Sequence, residues 1–198
     1  MDRKRADDTN GGAAEPEAAP AGRRRGTRAR VASKRGIDQD QPFYLYTAPG
    51  HLVRRLHQIA VSIFLEETRG YRITPVQYSA MTAIRAFPGI DQRSLARVIA
   101  FDRSTIGSVV ERLERRGLVS RETDRSDRRY KALYLTPKGA QVLRDMQPHV
   151  LMVGEKLLAP LSERDRKTFM RVVAKTVDLN NELSRAPLTA FDRDDDEA

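Results

Sequence analysis

Residues 91–135 hold the pattern that most limits the folds open to this chain. A short amphipathic segment at 91–99 precedes a tight turn, a second amphipathic segment from Arg103 to about Arg116, and Gly117. Two strand-like runs follow, Leu118–Glu122 and Lys131–Leu135, around a polar stretch from Thr123 to Tyr130. Asp102 is a helix cap, since a short carboxylate accepts from the unpaired N–H groups of a first turn. Gly117 provides the left-handed residue on which helices commonly end. Leu95, Ala96 and Ile99 share one face of the first segment, and Ile106, Val109, Val110 and Leu113 share one face of the second. The reading is helix, turn, helix, then a two-stranded hairpin with a long tip.

The flanking segments are helical. Thr47 is expected to cap a helix with Pro49 in its first turn, with Leu52, Leu56, Ile59, Ala60 and Ile63 along one face until Gly70 interrupts it. Thr74-Pro75-Val76-Gln77 is a capping box with Pro at the first helical position, opening a helix to about Ala86 that Pro88-Gly89 stops. Thr136-Pro137 starts a longer helix. In it Leu143, Met146, Val150, Val153 and Leu157 recur at alternating threes and fours, a seam expected to pack along a partner helix in a dimer, and Pro148 should kink it. Ser162 caps a last helix with Phe169, Val172, Val173 and Thr176 along one side. The fold class is therefore mainly α with a small β-hairpin wing: a winged helix-turn-helix unit plus a helical dimerisation region.

The ends differ in composition. Residues 1–41 are poor in large apolar side chains and read as a disordered arm, with Arg23, Arg24, Arg25, Arg28, Arg30, Lys34 and Arg35 giving a basic run without an acid. Residues 185–198 read as an acidic disordered tail. Between them, 42–184 reads as one domain: dimerisation helices at about 48–70 and 137–184, and a lobe at about 74–135 that holds the helix pair and the hairpin. No internal repeat is visible.

A net charge of +9 favours a polyanionic partner, because clustered Lys and Arg release counterions from phosphates. No cysteine occurs, which removes disulfides, thiolate metal sites and thiol-based sensing. No apolar run approaches the roughly 18 residues of a membrane span, and the start of the chain lacks an apolar secretory core, so a cytoplasmic location is expected. There is no Gly-rich phosphate loop, no nucleophile elbow and no His-carboxylate set spaced for zinc. Neither an enzyme, a metal nor a cofactor is expected.

The chemistry lies on the second helix of the pair and on the hairpin. Its outer face carries Ser104, Gly107, Ser108 and Arg115, flanked by Arg103, Thr105 and Arg112. Short hydroxyls and Gly permit approach to base edges in a major groove, and arginines reach guanine or phosphate. Glu111 on that face must point away from phosphate or pair with an arginine. The hairpin tip holds Arg125, Arg128 and Arg129 beside Asp124 and Asp127, suited to a wing reaching the adjacent minor groove. An architectural protein binding DNA without sequence choice is the alternative. It would explain the charge without needing a base-reading face.

Thr105-Ile106-Gly107-Ser108, Leu113-Glu114, Gly117-Leu118-Val119, Asp127-Arg128-Arg129, Thr136 and Gly139 together resemble the MarR family of winged-helix regulators, with its gaps. The likeness runs from about Tyr46 to Leu183. It implies a homodimer with intertwined first and last helices, recognition helices in successive major grooves of a palindromic site, and an effector pocket between the dimer helices and the DNA-binding lobe. More narrowly, Pro49-Gly50-His51-Leu52, Arg54-Arg55, His57-Gln58 and Thr74 to Tyr78 are similar to members that control aromatic-acid catabolism, some responding to the free acid and others to its coenzyme A thioester.

On that basis His51, Arg54, Arg55 and Gln58, with Ser62, are candidate effector ligands, since a His and two Arg on one helix face can hold a carboxylate. Tyr78 is the candidate ring contact, with Tyr44, Tyr46, Tyr71 and Met81 as further wall residues. The resulting expectation is a sequence-specific repressor released from its palindromic operator by a small anionic effector.

Overall fold

The structure, a computed structural model, describes residues 44–123 and 131–191. It has six α-helices among those residues: α1 (Pro49–Glu67), α2 (Pro75–Ala86), α3 (Gln92–Val98), α4 (Arg103–Arg115), α5 (Pro137–Leu158) and α6 (Glu163–Leu179). β1 (Val119–Thr123) and β2 (Lys131–Leu135) pair antiparallel, with Val119 opposite Leu135 and Thr123 opposite Lys131. The expected N-terminal arm and the tip residues Arg125, Asp127, Arg128 and Arg129 lie outside the described residues.

Local chemistry sets most boundaries. In the capping box of α2, Gln77 N donates to Thr74 Oγ1 at 3.3 Å and Thr74 N donates to Gln77 Oε1 at 3.0 Å, so two otherwise orphaned donors are satisfied. Gly117 sits at φ +66°, where a side chain would strain the turn out of α4. The start of α1 differs from expectation. Thr47 belongs to a 3₁₀ turn, Tyr44–Thr47, and Ala48 occupies the cap position without a side-chain bond. Proline at the first position, which needs no N–H partner, suffices to start the helix there.

The core gathers Ile73, Met81 and Ile84 of α2 and its approach, Leu95 of α3, the α4 stripe of Ile106, Val109, Val110 and Leu113, and Leu118 and Leu133 from the hairpin. Ile90 adds a third edge to the sheet: Gly89 N donates to Leu133 O and Leu133 N to Ile90 O, at 2.9 and 3.0 Å. α5 closes this core with Leu143 and Met146, 1% and 0% exposed. That corrects the partner-helix seam at Leu143 and Met146. Both side chains are consumed within their own subunit, with Val150 and Val153 packed on the same cluster and Leu157 half-buried. Spacings of three and four place residues on one face without saying whose surface that face meets. α5 runs on through Pro148.

Farther along, α1 packs against α5, and Glu67 pairs with Lys156. Tyr71 Oη donates to Asp145 O at 3.1 Å, tying the α1–α2 connection to the same helix. α6 has no buried residue. Its chain then turns back: Leu188 N donates to Asn181 Oδ1 at 2.8 Å and Asn181 Nδ2 donates to Leu188 O at 3.1 Å, closing a loop. Beyond it, Thr189 N donates to Arg97 O at 3.4 Å and the Phe191 ring packs 4.8 Å from that of Phe87. Residues 185–191 are thus a strap on α2 and α3 rather than part of a free tail; residues 192–198 lie outside the described set.

Candidate nucleic-acid interface and adjoining cavity

α3 and α4 are set by two aspartates. Asp91 Oδ1 accepts from Arg93 N at 2.6 Å and Ser94 N at 3.2 Å. Between the helices Ala100 takes a left-handed conformation, φ +54°, and Phe101 N closes the turn on Ala96 O at 2.9 Å. Ala96, 2% exposed, is small enough for the helices to approach there. Asp102 then accepts from Thr105 N at 2.8 Å, Ser104 Oγ at 2.6 Å and Thr105 Oγ1 at 2.7 Å. The Ser104 and Thr105 hydroxyl bonds, with the Thr105 amide, hold the Asp102 carboxyl down at about 2.

These bonds refine the groove-facing set. Ser104 and Thr105 have their hydroxyl protons committed to Asp102, leaving oxygen lone pairs rather than donors for a base. Ser108 Oγ donates back to Thr105 O at 2.9 Å and accepts from Arg112 Nη2 at 3.2 Å, so Arg112 is held along the helix surface. Gly107 is half-buried, and a Cβ there would meet Gln92 Nε2 of α3 at 3.2 Å, so its smallness also serves helix packing. Arg103, Glu111 and Arg115 are exposed, and Glu111 forms no ion pair among the described residues.

Residues that sequence reasoning passed over hold this surface in place. Arg116 donates from Nη1 to Arg72 O at 2.6 Å and from Nη2 to Tyr71 O at 2.8 Å, anchoring the end of α4 to the turn before α2. Arg121 on β1 pairs with Glu114 of α4 at 3.4 Å, linking wing to helix. Thr136 Oγ1 donates to Gly117 O at 2.7 Å and Lys138 Nζ to Arg116 O at 2.9 Å, so α5 begins directly on the end of α4. Thr136 and Gly139 were visible as motif residues; the arginine bonds cross about 45 positions and leave no local signal.

The expected effector residues do not assemble within one subunit. Arg54, Arg55 and Gln58 are exposed on the face of α1 turned away from the core, with Arg54 Nη1 donating to Gln58 Oε1 at 2.9 Å. His51 stacks edge-on against Tyr46, ring centres 5.7 Å apart. Tyr78 meets Phe64 near the far end of α1, at 6.0 Å. From Arg55 to Phe64 the helix advances about 13 Å, at roughly 1.5 Å per residue, which sets the basic face and the Tyr78 ring apart along α1. Tyr78 instead lines a cavity of about 410 Å³ with Ser79, Thr82, Phe87, Val98 and Ile99, between α2 and the end of α3. Tyr71 is engaged elsewhere, edge-on to His149 at 5.6 Å, and Met81 is a core residue.

A capped helix presenting hydroxyls and arginines, seated on a shorter helix and followed by a hairpin, defines a winged helix-turn-helix DNA-binding protein. Residues 73–131 match the MarR family. The chain is 30% identical over 137 residues to the HTH-type transcriptional repressor NicR of Pseudomonas putida, covering 69% of this chain and 87% of that one. Among solved structures, the PcaV transcriptional regulator of Streptomyces coelicolor matches with 35% identity and a TM-score of 0.61 over 67% of this chain and 96% of its own, and it is also known in complex with its natural ligand. BpsR of Bordetella bronchiseptica, whose DNA binding is regulated by 6-hydroxynicotinic acid, matches with 27% identity and a TM-score of 0.64 over 70% and 99%. This chain belongs to the MarR family and is a DNA-binding transcriptional regulator. Among the described residues no helix is long and apolar enough to cross a membrane.

Proposed function

We propose that this regulator is a cytoplasmic homodimeric repressor. It holds a palindromic operator through α4 and the wing, and an aromatic acid or its coenzyme A thioester releases it. In this reading Arg103, Ser104, Thr105, Ser108 and Arg112 meet the major groove, and Arg125, Asp127, Arg128 and Arg129 form the wing contact. The domain spans 42–184 with the strap added to it.

The observation that carries the effector reading is the α2–α3 cavity. It has the size of a small-ligand site, an apolar wall of Phe87, Val98 and Ile99, and a few polar groups, Tyr78, Ser79 and Thr82, to orient a ligand. It also abuts α3, on which α4 is packed, so filling it moves the reading helix. Regulation by an aromatic acid in BpsR fits the same chemistry. The basic face of α1 completes the site only from a second copy, because within one subunit it points outward. Leu52 and Ile59 on that helix, Leu151 and Met152 on α5, and Met170, Val173 and Val177 on α6 stay exposed in one chain, more apolar surface than a monomer keeps in water.

The test is fluorescence anisotropy on the DNA upstream of the gene, with and without a panel of aromatic acids and thioesters, for wild type, Tyr78→Ala and Arg55→Ala. The expected effector weakens operator binding at least tenfold in wild type and acts poorly in both variants. Equal response of both variants would remove the cavity and the α1 face from the effector site together.

A further inference from the structure

The strap that returns from α6 builds a second cavity, on the other side of α3. Its volume is about 400 Å³, and it lies between the Asn181–Leu188 loop and the α3–α4 turn. Four arginines line it: Arg93 and Arg97 from α3, Arg103 from the first turn of α4, and Arg185 from the loop. Phe101 and Pro187 give it an apolar wall, and Phe101, 38% exposed, is an aromatic ring left facing this space. Two acids, Asp102 and Glu182, share the lining. Asp102 is engaged by Ser104 and Thr105, and Arg93, Arg103 and Arg185 form no ion pair among the described residues.

From this arrangement we infer that the strap cavity binds a small organic acid, its carboxylate held by Arg185 together with the arginines of α3 and α4 and its apolar body lying on Phe101 and Pro187. Guanidinium forks match a carboxylate with paired, charge-assisted hydrogen bonds, and four guanidiniums against two carboxylates leave an excess of positive charge around the space that an entering anion offsets. The space is larger than a lone phosphate group fills, and its wall is partly apolar, which selects an acid with a hydrocarbon body. The consequence follows from position. One ligand would bridge the helix that reads DNA to the chain leaving the last helix, and would engage Arg103, which otherwise faces the operator. Acid and DNA are therefore expected to oppose each other, each weakening the other by the same factor. This site is separate from the α2–α3 cavity and does not depend on it.

The experiment follows backbone amide resonances of the full-length protein while benzoate, and separately inorganic phosphate, is added. Benzoate is expected to shift the Thr189 and Phe101 amides saturably in wild type, in Arg55→Ala and in Tyr78→Ala. Arg185→Ala is expected to weaken that binding at least tenfold while melting at the wild-type temperature, and Arg93→Ala serves as a second variant should Arg185→Ala fold poorly. Operator DNA should weaken the benzoate response at these two amides. Unchanged benzoate binding in both arginine variants, or no response at Thr189 and Phe101 in wild type, overturns the inference. So does a third outcome: phosphate binding as well as benzoate, with Arg185→Ala lowering the salt slope of DNA binding by roughly 0.9, which would make these arginines contacts to the DNA backbone.

Discussion

Replacing Gly139 with Ala adds one carbon where the structure has no room for it. A Cβ built on Gly139 would lie 2.0 Å from the Leu118 carbonyl oxygen and 2.9 Å from its carbon, with Leu135 Cδ2 at 3.2 Å. Contacts below 3.0 Å are essentially never made, so α5 and the start of β1 must separate by about 1 Å. Neither side is a flexible side-chain end; both are backbone. The separation stretches the Thr136 N to Leu118 O bond, now 3.1 Å, and the Thr136 Oγ1 to Gly117 O bond, now 2.7 Å. Overpacking costs typically 1–3 kcal/mol, and a weakened hydrogen bond adds up to about 1 kcal/mol, so a loss of about 3 kcal/mol is expected. At roughly 2–4 °C per kcal/mol for a chain of this size, Tm should fall by about 6–12 °C at matched protein concentration. Operator affinity should fall with it, because α4 and the wing are aimed by this joint. Calorimetry and DNA titration on the same preparation read both. A Tm within about 2 °C of wild type with unchanged operator affinity would refute the reasoning.

Further outcomes concern charge and assembly. The Asp102 carboxyl sits at about 2 in the fold against 3.8 unperturbed, so its capping contribution is full above about 4 and fades as pH falls toward 2. Its carboxyl carbon resonance should titrate near 2, and Asp102→Ala should speed exchange of the Thr105 amide; a titration near 4 would contradict the bonding described. Val173→Asp with Val177→Asp is expected to yield a folded monomer by sedimentation, because both side chains are exposed in one subunit. Leu143→Asp should unfold the lobe instead, and a dimeric α6 variant would place the interface elsewhere. Arg112→Ala is expected to alter base preference at defined operator positions, whereas Arg128→Ala should weaken all sequences and lower the salt slope by roughly 0.9; equal effects of the two would merge groove reading with phosphate contact.

The fold was legible where side chains bond to the backbone nearby. Thr74, Asp91, Asp102, Thr136 and Ser162 each cap the helix they precede, and Gly117 ends one, so the starts of α2 to α6 and the ends of α2 to α4 are legible within a residue or two. What depends on distant partners was not legible. The α5 periodicity cannot reveal that Leu143 and Met146 face their own core, and the hydroxyls of Ser104 and Thr105 look like free groove groups in sequence because their bonds to Asp102 depend on rotamer. Nothing in the strap's composition suggests order: one asparagine amide, one backbone bond from Thr189 to Arg97 and one aromatic ring hold it. The effector residues were grouped by helix face, and rise along α1 separates Arg55 from Tyr78.

The last helix carries a consequence for genetics. α6 has no face buried in its own chain, yet the segment that follows it is fastened to α3 by Thr189 and to Phe87 by Phe191. A chain stopped after Leu183 would lose both fastenings and leave the Phe87 ring without its Phe191 partner, while every buried residue of the core cluster stays in place. An early stop there would thus read out as a change at the α2–α3 surface and not as a loss of the fold.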